Sequence, residues 1–249
     1  MKITQLSTVL ISALLVSEIA HAGVELELGA GQSTKKIEGD EGEEDSSVHS
    51  LDMNLYVGYR IKNFISLGLI ATQKNYDMKK AAESLKGAAE SFYGDQDVFS
   101  SGPASEDSGD ATGSSKGLVF GPQITVAYPG KFLQPYFRIA YQMGTLKNLS
   151  EYKSSSNYMG TPVSFGMKVE TEQKTEFTQI GVGLRVPVSS FYFYVDAAVE
   201  SMHYKIDSAT LVQDISIDEQ AYRDEQKIDA DTDDTAGGSV LKIGLGYSF

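Results

Sequence analysis

Cysteine is absent from the 249-residue sequence, so the chain can form neither a disulfide bond nor a cysteine nucleophile. Histidine is scarce, because only His49 and His203 follow the first 22 residues. Neither belongs to a motif such as G-x-S-x-G, and the sequence has no glycine-rich phosphate loop and no zinc-ligand spacing. We therefore predict that the protein is not an enzyme and carries no cofactor.

A long apolar run is also missing after the N-terminal region, where no segment reaches the roughly 20 apolar residues that a membrane-spanning helix needs. At the N-terminus, Lys2 precedes the apolar stretch Leu6–Ala20, and Ala20-His21-Ala22 has the small residues of a cleavage site. This is the pattern of a secretory signal peptide, with an anchoring helix as the alternative. We predict that residues 1–22 are removed after export and that residues 23–249 form a single domain.

Apolar and polar residues alternate in eight segments, which is typical of β-strands with two different faces. Most segments are longer than the usual soluble strand of about five or six residues, and they suit a tilted membrane-crossing strand of about 9–11 residues. The eight segments are Gly23–Ser33, Val48–Ile61, Phe64–Lys74, Lys116–Tyr128, Lys131–Leu146, Thr175–Pro187, Ser190–Ile206 and Gly238–Phe249.

The connections between these segments are alternately long and short. This order suits a closed up-and-down barrel with both termini on one side, since outer-membrane barrels have short periplasmic turns and longer external loops. The long connections are Thr34–Ser47, Tyr76–Ser115, Lys147–Lys174 and Asp207–Gly237. The short ones are Lys62-Asn63, Pro129-Gly130 and Pro187–Ser189.

The two faces of the segments differ in composition. One face is apolar and reaches the end of the chain as Leu241, Ile243, Leu245, Tyr247 and Phe249. The other carries glycines and the charged residues Glu25, Glu27, Asp52, Arg60, Arg138, Arg185, Asp196, Glu200 and Lys242. Alternation alone fits either a soluble lipocalin-like barrel with an apolar interior or a membrane barrel with an apolar exterior. The glycines beside the charges, where a narrow interior needs small residues, and the aromatics near the short turns favour the membrane barrel.

The C-terminal stripe resembles the final strand of the outer-membrane β-barrel proteins of Gram-negative bacteria, which ends in an aromatic residue preceded by alternate apolar residues. The pattern is most similar to the small OmpA-transmembrane, OmpX/Ail and OmpW-like barrels. This resemblance implies an all-β fold, an eight-stranded antiparallel up-and-down transmembrane β-barrel with long extracellular loops and periplasmic termini. It also implies a monomer surrounded by outer-membrane lipids and lipopolysaccharide, whose stripe Leu241, Ile243, Leu245, Tyr247 and Phe249 is the signal that the barrel-assembly machinery recognises.

Two prolines depart from the family pattern. Pro122 and Pro135 fall inside predicted strands, where each removes a donor from the hydrogen-bond ladder. A closed barrel has no free edge for them, so we expect β-bulges at both positions.

The charges on the polar face require partners if they are buried. Eight strands enclose a lumen that side chains can fill, and buried charges are tolerated when they are paired. We therefore predict that the nine charged residues of this face form an ion-pair network that plugs the barrel. A narrow gated pore is the alternative.

The acidity of the protein lies in the long connections. The formal net charge is −13, and the four long connections hold 27 of the 34 acidic residues but 11 of the 21 basic ones. This charge speaks against nucleic acid as a partner and makes these connections the expected contact surface for host or environmental ligands. The weak candidates for a metal site are Asp229, Asp231, Asp233 and Asp234, but the glycine and glutamate of a calcium-binding EF-hand loop are missing, so no metal is predicted.

Local patterns predict further structure in these connections. Residues 77–92 have the periodicity of an amphipathic helix at the barrel rim or the membrane interface. Ser216 to Glu219 form a capping box that could start another helix, and residues 94–115 have a composition typical of a flexible segment. The predicted function is that of a surface protein with a structural, adhesion or host-interaction role. The alternative is a narrow channel for ions or small apolar solutes.

Overall fold

Eight antiparallel strands and one helix make up the computed structural model, which describes residues 23–37, 46–61, 64–94, 109–158, 161–218 and 220–249. Each strand pairs with the next, and the first pairs with the last, so the sheet closes into a barrel. The eight-stranded antiparallel up-and-down fold is therefore confirmed. The elements are β1 (Val24–Ile37), β2 (Ser46–Ile61), β3 (Ile65–Asp77), α1 (Lys79–Gly94), β4 (Asp110–Ala127), β5 (Gln134–Tyr158), β6 (Thr161–Val188), β7 (Phe191–Ile217) and β8 (Gln220–Ser248).

Some sequence predictions concern residues beyond the described ranges. These are the signal peptide at residues 1–22, the short turn Lys62-Asn63 and most of the connection between β1 and β2. Among the described helices, none has the length and apolar character to cross a membrane.

The barrel is closed by its two terminal strands. β1 and β8 pair from Glu25 opposite Ser248 to Lys36 opposite Gly237. The backbone N–H of Phe249 also donates to the carbonyl of Val24 at 3.0 Å. The C-terminal residue is thus held by the ladder, which explains why the apolar stripe continues to the end of the chain.

Two of the predicted long loops are wrong. Residues 147–158 and 161–174 form the continued ladder of β5 and β6, and residues 207–217 and 220–237 form the continued ladder of β7 and β8. The predicted helix start at Ser216 is also wrong, since β7 runs to Ile217 and the turn follows at Asp218. Most residues of these stretches are polar, and the apolar alternation is limited to short segments such as Val163–Val169. Backbone hydrogen bonds pair the stretches throughout their described parts.

The predicted helix is present. It begins at Lys79, whose backbone N–H donates to the carboxylate of Asp77 at 3.0 Å. Ala82 is fully buried, and Leu85 packs against a cluster formed by Tyr152 and Met167. The helix therefore lies against β4 and β5, beyond the lumen. The prediction of a flexible segment at residues 94–115 is partly wrong, since residues 110–115 belong to β4. Residues 95–108 lie outside the described part.

The expected bulges are not at the prolines. The register of β4 and β5 is the same before and after Pro122, and that of β5 and β6 is unbroken at Pro135. In the described ladders the register shifts occur between Thr171 and Gln173 and between Ile206 and Ser208. At Pro122 the ladder between β4 and β5 is interrupted at two positions without an inserted residue, so the missing donor is tolerated without a bulge.

Candidate functional site

The outside of the barrel carries a belt of exposed large apolar side chains from β2 to β8, which is completed on β1 by the half-buried Leu26 and Leu28 and the exposed Ala30. On β2 the belt extends from Leu51, which is 60% exposed, to Ile61. These ten steps correspond to about 33 Å along the strand, or about 25 Å along the barrel axis at a tilt of about 40°. This is the height of the lipid-facing band of an outer-membrane barrel. Soluble monomers rarely expose apolar patches of this extent, which are typical of a surface that contacts a membrane or another protein.

Aromatic side chains lie at the end of the belt nearest the termini. The ring of Tyr247 contacts Phe191 and Phe249 edge to face, with centroid distances of 4.7 Å and 4.4 Å. Tyr59 and Tyr128 are exposed at the same end. Amphipathic rings at this height are typical of a membrane interface.

Three carboxylates and three guanidinium groups meet in the part of the lumen nearest the termini. Glu27 lies between two arginines, because its Oε2 accepts from Arg138 Nη2 at 2.7 Å and its Oε1 accepts from Arg185 Nη2 at 2.6 Å. Arg138 also donates to Asp196 Oδ2 at 2.9 Å. The formal charges cancel in this arginine cluster, which consists of Glu25, Glu27, Asp196, Arg60, Arg138 and Arg185.

Glu25 completes the arginine cluster on the side of the termini. Its carboxylate pairs with Arg60 and, at 2.9 Å, with Arg185. It also accepts a hydrogen bond from the hydroxyl of Tyr192 at 2.6 Å. The rings of Tyr136, Tyr192 and Tyr194 lie against the guanidinium groups of Arg138 and Arg185 at 4.7–5.4 Å. The cations are thus covered by rings where carboxylates do not reach them.

A second ionic group, the lysine cluster, lies farther from the termini and consists of Lys35, Lys74, Asp52 and Glu200. Glu200 pairs with Lys35 at 2.6 Å and with Lys74 at 2.9 Å. Lys74 also pairs with Asp52 at 2.7 Å. Both ammonium groups lie over the ring of Phe177, at 5.2 Å and 4.8 Å from its centroid. The two carboxylates and two lysines are formally neutral together.

Lys242 lies between the two clusters and has a different kind of partner. Its ammonium group donates to Gln179 Oε1 at 2.7 Å, and no carboxylate of the described residues lies within ion-pair distance of it. The cross-strand neighbour of Lys242 is Asp196, but the carboxylate of Asp196 is taken by Arg138. Lys242 is therefore a buried cation that belongs to neither of the two neutral clusters.

An apolar layer covers the lysine cluster on the side away from the termini. It is formed by Val48, Tyr76, Val119, Leu146, Phe177, Met202 and Ala236. The side chains of both ionic clusters are buried beneath it, with Arg60 retaining some exposure. Successive levels of the lumen are thus filled by the arginine cluster, Lys242 with Gln179, the lysine cluster and the apolar layer.

The structure places all nine sequence-predicted lumen residues inside the barrel and brings eight of them into ion pairs. Sequence reasoning missed Lys35 and Lys74. Lys74 shares the parity of the predicted lumen face on its strand, so that parity could have found it. Lys35 lay in a predicted loop, because the strand was expected to end at Ser33.

The four aspartates considered for a metal are spread along the outer part of β8. Asp229, Asp231 and Asp233 share one face at intervals of about 7 Å, while Asp234 lies on the other face. No group of three or more metal-ligating side chains occurs in the described ranges. Asp233 is 3.4 Å from the Nε2 of His203 instead.

Two further polar contacts outside the belt are exposed. His49 Nδ1 is 3.1 Å from the hydroxyl of Thr34. On the extended sheet, Lys174 donates to Asp207 Oδ2 at 2.6 Å, and this hydrogen bond lowers the pKa of Asp207.

Comparison with known proteins adds a likeness of fold. The sequence matches no family model and no curated protein. Solved structures that align with it include a major outer membrane protein from Thermus thermophilus, with 11% identity, a TM-score of 0.49 and coverage of 91% of this chain and 99% of that one. Neisserial surface protein A aligns with 12% identity and a TM-score of 0.36, over 92% of this chain and 98% of that one. Ail of Yersinia pestis aligns with 13% identity and a TM-score of 0.37, over 91% and 99%.

Proposed function

We propose that the protein is an outer-membrane β-barrel with a closed lumen, which presents an acidic β-sheet outside the membrane. The observation that carries this proposal is the opposition of the two barrel faces. Apolar side chains cover the outside over about 25 Å, the height of a lipid-facing band, while charged side chains are buried and paired inside. A barrel in water would be expected to have these faces exchanged.

The filled lumen supports a structural and surface role over a channel. An ion crossing the barrel would have to displace guanidinium groups from Glu27 and then pass the apolar layer at Leu146 and Met202. Each paired buried charge costs several kcal/mol to separate. The absence of conductance by the purified protein in planar bilayers is therefore the expected result, and steady conductance would support the channel alternative.

The extended parts of β5 to β8 supply the contact surface in this proposal. They continue for about 15–21 residues beyond the last exposed apolar residue of the belt on each strand, or roughly 50–70 Å along the strand. Six carboxylates and two basic side chains lie on the outer part of β8, and all but one of its residues from Gln220 to Thr235 are exposed. This negative charge suits a basic partner on a host or environmental surface. Lipopolysaccharide is the partner proposed for the belt, and the assembly machinery is the partner proposed for the C-terminal stripe.

Electrophoresis and cysteine labelling test the membrane location and the orientation. The folded barrel should migrate differently in SDS before and after boiling. Because the chain has no cysteine, Thr232→Cys on the extended sheet and Ser190→Cys at a short turn each introduce a single label site. A maleimide polymer too large to cross the outer membrane should label the first variant on intact cells, and the second after permeabilisation.

Different results would reject different parts of the proposal. A protein that shows no SDS-resistant form and is recovered from the soluble periplasm is not a membrane barrel. Labelling of Ser190→Cys but not Thr232→Cys on intact cells would reverse the orientation.

A further inference from the structure

A cavity of about 190 Å³ lies at the outer end of the lumen, beyond the membrane belt. Its walls are mostly apolar and come from Val48, Leu146, Met202 and Ala236, with Met78 at the start of α1 also lining it. Lys35 of the lysine cluster lies on the side nearer the termini. Because the lysine cluster fills the lumen beneath it, the cavity is a dead end and not part of a passage.

Three buried oxygen atoms of this cavity, Tyr76 Oη, Ser115 Oγ and Asn148 Oδ1, lack a hydrogen bond within the described ranges, and those of Ser115 and Asn148 are neighbours. Ser115 is 2% exposed, and its Oγ has no partner there. The Oδ1 of Asn148 also has none, although the amide nitrogen of the same side chain donates to Thr171 and Gln173. Buried polar atoms are rarely left in this condition, because desolvation without a new partner is unfavourable.

The two atoms lie on the same side of the wall. Ser115 of β4 and Asn148 of β5 are directly opposite each other in the ladder, and both line the cavity. The side chains of such a cross-strand pair begin about 5 Å apart. A single hydroxyl group between them could accept a hydrogen bond from the serine and donate one to the amide oxygen.

We propose that this cavity binds a small alcohol with an apolar body, held through its hydroxyl by Ser115 and Asn148. An apolar protein cavity of about 150 Å³ accommodates benzene, so about 190 Å³ accommodates roughly eight non-hydrogen atoms. An aromatic alcohol such as benzyl alcohol has this size and this distribution of polarity. The site adds a ligand class to the protein and does not depend on the barrel being a surface-contact protein.

Methionine methyl groups provide a direct measurement of binding. Met78 and Met202 line the cavity, whereas Met53 and Met143 are exposed on the outer belt. The full chain in lipid nanodiscs, labelled at the methionine methyl carbons, is titrated with benzyl alcohol and followed by NMR. We expect saturable shifts at Met78 and Met202. The two belt methionines should shift in proportion to the alcohol dissolved in the lipid, without saturation.

Two variants distinguish the contribution of the cavity volume to binding from that of its polar groups. Ala236→Leu fills the cavity and should abolish the saturable shifts. Ser115→Ala leaves the cavity in place and should weaken benzyl alcohol binding by about 5-fold, with little change for toluene. An unchanged methionine spectrum of Ser115→Ala without ligand would show that this variant is folded.

Three outcomes would overturn the proposal. No saturation at Met78 and Met202 means that water satisfies the two polar atoms. Saturation that persists in Ala236→Leu places the ligand elsewhere. Equal loss of benzyl alcohol and toluene binding in Ser115→Ala removes the role of the hydroxyl. None of them affects the SDS or labelling results that test the membrane barrel.

Discussion

The ring of Tyr194 occupies the space inside the barrel that a side chain at Gly244 would need. The two residues are opposite each other on β7 and β8. Gly29 on β1, which is opposite Gly244, lies against the hydroxyl of the same tyrosine. Glycines and tyrosines therefore fit together in the lumen, which explains why the charged face is also rich in glycine.

Replacement of Gly244 should destabilise the barrel. In Gly244→Ala the new Cβ would overlap the ring of Tyr194, and overpacking of this kind costs about 1–3 kcal/mol. The free energy of unfolding in urea, followed by the unheated band in SDS, measures the loss. Gly237→Ala is the matched control, since a Cβ at that position would have no atom within 4 Å and no loss is expected there. Equal stability of the two variants would contradict the packing argument.

Arg138 should contribute strongly to stability. Arg138→Met leaves Glu27 with one arginine and Asp196 with no arginine, and breaking a buried ion pair on one side costs about 3–5 kcal/mol. Urea unfolding measures the change. The control is Lys147→Met, which breaks an exposed pair with Glu172 and should have no resolvable effect. If both variants unfold at the same urea concentration, the arginine cluster does not stabilise the fold.

Two of the buried lysines, Lys74 and Lys242, should respond differently to the same substitution. Lys74→Met leaves two carboxylates short of a cation and should lose about 3–5 kcal/mol. Lys242→Met removes a buried charge that has an amide as its partner, so stability should stay the same or rise slightly. Paired unfolding curves of the two variants test this, and a loss in Lys242→Met as large as in Lys74→Met would show that Lys242 has a carboxylate partner.

The outermost hairpin of β7 and β8 should be dispensable for the barrel. Deleting residues 209–228 and joining Ser208 to Asp229 through Asn-Gly keeps their observed pairing and closes it with a favoured two-residue turn. The heat-modifiable band and its urea midpoint should remain. Removing Tyr247–Phe249, which belong to the closing ladder, should abolish the band. Loss of the band in the hairpin deletion would show that the extended sheet is part of the folding unit.

Asp207 provides a test of pH dependence outside the belt. The hydrogen bond from Lys174 lowers the pKa of the Asp207 carboxyl group in the folded protein. The pair therefore stabilises the folded sheet fully above the pKa of an aspartate in the unfolded chain, which is about 4. This stabilisation is lost as the pH falls through the lower pKa of the folded state. Lys174→Ala should raise the pKa of Asp207 in an NMR titration. Lys205→Ala should raise it less, because Lys205 is the weaker influence. An unchanged pKa in Lys174→Ala would contradict the hydrogen bond.

The sequence predicts the barrel well where the two faces differ. Alternation identified all eight strands in the belt, because an outward position and a lumen position carry opposite residue types, as at the neighbours Leu241 and Lys242. Beyond the belt the outer face meets water, so the exposed side chains of Lys147 and Glu172 do not indicate the ladder that joins their strands. The strands there are held together by backbone hydrogen bonds, which cannot be recognised from the residue types.

The lumen residues could be predicted as a set, but their pairing could not. Cross-strand register would pair Lys242 with Asp196, yet the longer reach of Arg138 across the lumen takes that carboxylate. Which charges meet depends on side-chain length and on the curvature of the closed sheet. Neither can be derived from the spacing of residues in one strand.

The outer part of β8 pairs on one side with β7, and within the described residues its pairing with β1 ends at Gly237. A strand with an open side is a template to which a second copy can add through its backbone. Here six carboxylates and two basic side chains accompany that open side. Two approaching copies would bring like charges together within the distance of about 10 Å over which salt at about 0.1 M leaves repulsion unscreened. The negative charge of this strand therefore disfavours the edge-to-edge addition of a second copy, and a higher ionic strength would weaken that repulsion.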